Sequence, residues 1–143
     1  GITATTKFNL PEARLYRPAR APAVYKEVAG LPTTSVIAEL PLGYLDFDVR
    51  AMYYSLVHHR SLLNGYSGFF PVSYGQLTFA VSELPRHAQL SLTTLREAGA
   101  THVIVHEAAF LGQEGPQTTA ALRRLGAVEL YRNGTDVLLG LTR

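Results

Sequence analysis

The sequence predicts an α/β layered domain, with a central mostly parallel sheet, flanking helices and a C-terminal antiparallel hairpin. Two short apolar runs rich in β-branched residues carry the sheet, Val36-Ile37-Ala38-Glu39-Leu40 and Thr101-His102-Val103-Ile104-Val105-His106. Segments of helical period lie between them, and that alternation is what parallel strands need for their crossovers. Near the end, Asn133-Gly134 between two β-rich runs is the strongest short hairpin signal a sequence can carry.

In chain order, residues 1–20 contain Pro11 and Pro18 and keep no steady period, so they read as an extended lead-in with a short strand over 5–9. Leu15 and Tyr16 are expected to tuck against the body. Pro22 suits the first turn of a helix, where a missing N–H costs nothing, and Gly30 stops it, giving a helix over 22–29. The strand 36–40 is halted by Pro41. A helix over 48–58 follows, capped by Asp46 or Asp48, with Val49, Met52, Tyr53, Leu56 and Val57 as its inward face. Residues 61–64 form a second short strand, ended by Gly65. Ser73 caps a helix through Tyr74, Leu77, Val81 and Leu84, which Pro85 ends. The next helix turns Leu90, Leu92 and Leu95 inward and stops at Gly99. After the strand 101–106, a helix over 116–125 points Ala121, Leu122 and Leu125 inward and Thr118, Thr119 and Arg123 outward. Strands over 128–131 and 136–141 complete the hairpin.

At 143 residues this is one domain, long enough to bury a real core. Its 47% hydrophobic and 17% charged residues exclude disorder and a coiled coil. A formal charge of +2 gives no basic footprint, so nucleic acid is not an expected partner. No apolar run is long enough to span a membrane. The chain opens on Gly1-Ile2-Thr3 without Met, from which an excised piece or a processed product is expected. With no Cys there is neither thiol catalysis nor a thiolate zinc site, and no Gly-x-Gly-x-x-Gly follows a strand, so no cofactor is expected.

Ligands of open α/β sheets bind beyond the carboxyl ends of the parallel strands. Those ends carry Glu39, then Asn64, Tyr66 and Ser67, then His106 and Glu107, with His58, His59 and Arg60 at the end of the preceding helix. The candidate binding residues are therefore Glu39, His58, Arg60, Asn64, Tyr66, Ser67 and His106. The pair His58-His59 is a poor metal site, because neighbours on a helix point about 100° apart; a His at a helix C-terminus is better explained by the dipole. His102 and His106 lie about 13 Å apart along a strand, too far to share one ion. Glu39 in an apolar strand needs a partner. A rim residue bonded to loop amides or to Arg60 is the simpler reading, and a general acid or base working with His106 or His58 is the sharper one. Ser67 in Gly65-Tyr66-Ser67-Gly68 lacks the spacing of a nucleophile elbow. Tyr53, Tyr54, Tyr66, Phe69, Phe70 and Tyr74 could stack on sugar rings, but core packing outweighs that use.

The phrases VIAELPLG, MYYS, HHRSLLNGYSGFFPVSY and LREAGATHVIVH together resemble the C-terminal soluble region of bacterial multi-pass membrane proteins of the glycosyltransferase type. These are similar to polyprenyl-phosphate-mannose-dependent mannosyltransferases and oligosaccharyltransferase-like enzymes. The resemblance covers residues 14–107 and is strongest in Asn64-Gly65-Tyr66-Ser67-Gly68 with Pro71 and Tyr74. It implies a periplasmic α/β domain on the outer face of the cytoplasmic membrane, following a membrane-embedded portion of the same polypeptide. In that family the catalytic acids lie in loops of the membrane portion, so no catalytic residue carries over to this chain. The implied role is accessory, contacting a glycan, a polyprenyl-linked sugar acceptor or the membrane module. Two alternatives stand beside it: a small free-standing hydrolase using Glu39 with His106 or His58, and a purely structural interaction module.

Overall fold

The computed structural model describes residues 8–11, 16–65 and 72–141. It is an α/β domain with five α-helices and a five-stranded mixed sheet. The helices are α1 (Ala23–Ala29), α2 (Leu45–His58), α3 (Tyr74–Val81), α4 (Ala88–Glu97) and α5 (Glu114–Arg124). The strands are β1 (Val36–Leu40), β2 (Ser61–Leu62), β3 (His102–His106), β4 (Val128–Asn133) and β5 (Asp136–Gly140), in the spatial order β2-β1-β3-β5-β4. The β1–β2 and β1–β3 pairs are parallel, whereas β3–β5 and β4–β5 are antiparallel. The expected parallel sheet is thus realised in one half only. The C-terminal antiparallel hairpin adds to the β3 side of the sheet as expected, β5 pairing with β3 and β4 forming the edge.

Alternation along the strands builds two cores. Ala38, Leu40, Val103, Val105, Val137 and Leu139 face Leu77, Val81, Leu92, Leu95 and Leu122 of α3, α4 and α5. On the other face, Ile37, Ile104 and Leu138 pack against Val24, Tyr25, Val28 and Tyr54 of α1 and α2. Each fully buried Leu or Ile contributes roughly 2 kcal/mol. With both faces covered, the central strands read as continuous apolar runs.

Local signals explain most boundaries. Ser73 and Gln76 form a capping box at α3, each side chain closing on the other's backbone N–H. Pro22 precedes α1 as its cap residue. Phe8 bridges to Phe110, while Asn9 N–H donates to the Ala109 carbonyl at 2.7 Å, so the lead-in is tied down over these residues; the rest of the strand expected over 5–9 lies outside the described residues. Leu15 is also outside them, whereas Tyr16 does tuck against Tyr53 and Tyr54. The second strand ends at Leu62, short of the expected 64.

Three facing assignments are corrected. Helix α2 buries Phe47, Asp48, Ala51, Tyr54 and His58, while Val49, Met52 and Leu56 are exposed. No side chain caps its start, since Asp48 points inward to polar partners instead. In α5, Thr118 and Thr119 are buried rather than outward, and Thr119 Oγ1 donates to Glu107 Oε2 at 2.6 Å. Glu107 is itself buried and also receives Arg132 Nη1 at 3.0 Å, so a buried carboxylate has drawn donors inward. Gly115 allows this approach, because a Cβ there would collide with the Glu107 carbonyl. Leu90 of α4 is largely exposed, whereas Leu92 and Leu95 are buried as expected.

Candidate functional site

Strand register assembles a polar cluster on the α1/α2 face of the sheet. Ile104 lies opposite Glu39 across the parallel β1–β3 pair, so His106 is the diagonal neighbour of Glu39, on the same face. Across the antiparallel β3–β5 pair, His106 lies directly opposite Asp136. The imidazole therefore stands between two carboxylates. Its Nε2 lies 2.6 Å from Glu39 Oε1, and its Nδ1 lies 2.8 Å from Asp136 Oδ1. Tyr25 of α1 donates its hydroxyl to the same Glu39 oxygen at 2.6 Å, and Arg50 of α2 reaches the Tyr25 oxygen at 3.5 Å.

The electrostatics follow from this geometry. Burial opposes a charge on His106, but the hydrogen bonds to Asp136 and Glu39 and their negative charges outweigh it, raising the imidazole to about 9. At neutral pH both ring nitrogens are protonated and both donate. Burial likewise works against the Asp136 carboxylate, yet the bond and charge of His106, with help from Arg50, hold its pKa below the usual value. Burial together with the charge of Glu39 pushes the Tyr25 hydroxyl well up, so it stays neutral.

His58 completes the buried group, stacked on Tyr25 with ring centroids 6.0 Å apart. Its Nδ1 accepts from the Arg60 backbone N–H at 2.9 Å, which fixes the neutral tautomer with hydrogen on Nε2. Burial lowers its pKa, against a smaller opposing effect of Glu39. His58 Nε2 and Glu39 Oε2 are both buried and without a hydrogen-bond partner in the described structure.

The remaining candidates are placed as follows. Arg60 aims its guanidinium at the carbonyls of Ala29, Leu31 and His58, closing the C-terminal ends of α1 and α2. Asn64 accepts from the Glu39 backbone N–H at 2.7 Å and donates back to the Glu39 carbonyl at 2.8 Å, so its amide extends the β1–β2 ladder. Its second amide hydrogen goes to Asp48 Oδ1, and Tyr74 donates to Asp48 Oδ2 while accepting from the Gly65 N–H. Tyr66 and Ser67 lie outside the described residues. Glu39, His58 and His106 thus gather around Tyr25, whereas Arg60 and Asn64 serve the chain's own backbone.

Beside the cluster opens a cavity of about 440 Å³, lined in part by His106 and Asp136. Tyr16, Tyr54 and Phe47 are its aromatic lining residues, and Arg17, Arg20 and Arg50 also line it. Arg17 and Arg20 come from the lead-in, Arg20 within a 3-10 turn over Pro18–Arg20. Among the described residues, no group of three or more His, Asp or Glu is arranged to hold a metal ion.

Tyr25, Asp136 and the arginines are functional candidates that the pattern of the sequence did not single out. A signal existed for Asp136, since the Asn133-Gly134 turn pairs it with Asn133 at the mouth of the hairpin. That reveals its nearness to His106 only once β5, and not β4, is known to neighbour β3. No protein-family model, no curated protein and no solved structure matches this chain.

Proposed function

We propose that this chain is a non-catalytic recognition domain of a membrane glycosyltransferase-like protein, standing on the extracytoplasmic face of the cytoplasmic membrane. There it contacts acceptor, glycan or the membrane-embedded part of the same polypeptide. The membrane context rests on the sequence phrases around Asn64-Gly65, Pro71 and Tyr74; no helix among the described residues is long and apolar enough to cross a membrane. The observation that carries the non-catalytic reading is the state of His106. It remains charged to about pH 9, so it has no lone pair with which to accept a proton, and both its N–H groups are held by the chain's own carboxylates and not offered to a ligand. The strand ends then present a fixed arrangement of charge, suited to binding. Incubation of the 143-residue chain with a polyprenyl-phosphate-linked mannose donor should release no sugar, and release by the chain alone overturns the reading.

One observation favours a second reading, a small hydrolase. Glu39 lies within hydrogen-bond reach of both His106 and Tyr25, the geometry acid–base chemistry needs. That reading requires hydrolysis of a nitrophenyl ester or phosphate by the chain, abolished in Glu39→Gln. Equal rates in the two proteins remove it.

A further inference from the structure

We propose that the cavity beside His106 is a binding site for an organic phosphate, a phosphate monoester attached to a flat or apolar body. This goes beyond the recognition reading above and stands without it. Arg17, Arg20 and Arg50 line the cavity, and none of them forms an ion pair with a carboxylate among the described residues. Three arginines lining one cavity contribute like charges that a bound anion would offset. His106 is shared between Asp136 at 2.8 Å and Glu39 at 2.6 Å, so one carboxylate charge is left over there, and the three arginines outnumber it.

Guanidinium forks match phosphate oxygens in pairs, and three of them suit a group with three outer oxygens and up to two charges better than a carboxylate with one. The volume of about 440 Å³ exceeds the need of a bare phosphate and falls in the range of small-molecule sites. Tyr16, a partly exposed ring that lines the cavity, is available to the rest of the ligand, whereas Tyr54 is buried with Tyr25 stacked on it. Arg50 already lies over the Tyr54 ring at 5.3 Å, which holds its guanidinium in place ahead of binding. Arg17 and Arg20 are exposed and line the cavity, so their guanidinium groups are free to meet an anion.

The test titrates the 143-residue chain with phenyl phosphate, with benzoate as the carboxylate control, by calorimetry and amide chemical shifts. Binding of phenyl phosphate in preference to benzoate is expected, with shifts at residues 17, 20, 50, 54 and 136. Arg17→Gln with Arg20→Gln should weaken it by about tenfold or more, as loss of charge-assisted hydrogen bonds requires. Both side chains are exposed, so the double variant should unfold at the temperature of the parent, which circular dichroism checks. A second arm sediments the chain with phosphatidylcholine vesicles containing phosphatidic acid. Binding to vesicles that phenyl phosphate displaces identifies a lipid headgroup as the source; phenyl phosphate binding with no vesicle binding identifies a soluble ester. The proposal is overturned by no binding in either arm, by benzoate binding as tightly as phenyl phosphate, or by full affinity in the double variant.

Discussion

Burial alone would strip His106 of its charge, and the chain prevents this by setting a carboxylate at each ring nitrogen. One of these, Asp136, comes directly opposite in the sheet; the other, Glu39, is the diagonal neighbour. Glu39 is also the acceptor for Tyr25, so a single oxygen serves two donors. Glu39→Gln keeps the shape and an acceptor but removes the negative charge. The His106 imidazole should then titrate at least about one pH unit below its parent value near 9, since an opposite charge at this range is worth that much. Following the His106 ring protons by NMR across pH checks it. An unchanged midpoint would assign the raised value to Asp136 alone.

At the scale of the element, α2 teaches most about what periodicity can and cannot reveal. Its apolar residues Val49, Met52 and Leu56 recur at helical spacing, yet they face out, and Leu45 at 78% exposure extends that stripe. The inward face carries Asp48 and His58 beside Phe47, Ala51 and Tyr54. Hydrophobic patterning assumes that polar side chains seek water, and it fails wherever buried polar partners await them. Asp48 meets Asn64 and Tyr74, and His58 meets Tyr25 and the Arg60 amide. Thr119 of α5 was hidden for the same reason, by its bond to Glu107. Strands β1 and β3 were legible because they are buried on both faces and need only apolar runs, and the α3 cap because Ser73 and Gln76 act locally. Of the site, Glu39, His58 and His106 stood out as polar residues in apolar or crowded surroundings. Tyr25, Asp136 and the arginines did not, because only the tertiary fold brings them to Glu39, to His106 or to the cavity. The reversed face of α2 is open to test. Leu56→Lys should change the unfolding free energy by no more than about 0.5 kcal/mol, as exposed substitutions do. Tyr54→Ala should cost about 3 kcal/mol or more, because it removes a buried ring stacked 4.6 Å from Tyr25. Urea unfolding of both variants measures the contrast, and the opposite ranking would return the expected face to the core.

Across the whole molecule, addition of the hairpin beside β3 turns a parallel sheet end into a charged site. In a sheet of parallel strands alone, the carboxyl ends would bring together Glu39 and His106 and leave Asp136 elsewhere. The antiparallel β5 starts where β3 stops, so its first residue lies at the rim. This ties the stability of the fold to pH. His106 is raised from an ordinary value of 6.5 to about 9 in the folded chain, so folding takes up a proton between those values. The stabilisation is fully present below about pH 6.5 and is lost as pH rises through 9; for a shift of this size it amounts to about 3 kcal/mol. Asp136 acts in the other direction. Its folded pKa is depressed, so its contribution is present above the ordinary carboxylate value and is lost as pH falls through the folded one. His58 and His102, whose folded values burial lowers from 6.5, take stability away as pH falls below that value, so urea midpoints should be highest near about pH 6.5 and should decline towards pH 9. His106→Gln should flatten the alkaline decline while lowering stability at pH 6, because two carboxylates lose the cation between them. A parent curve that stays level from pH 6 to 9 would mean that His106 is neutral in the folded chain, leaving a ring nitrogen able to take a proton and restoring the case for acid–base chemistry at Glu39.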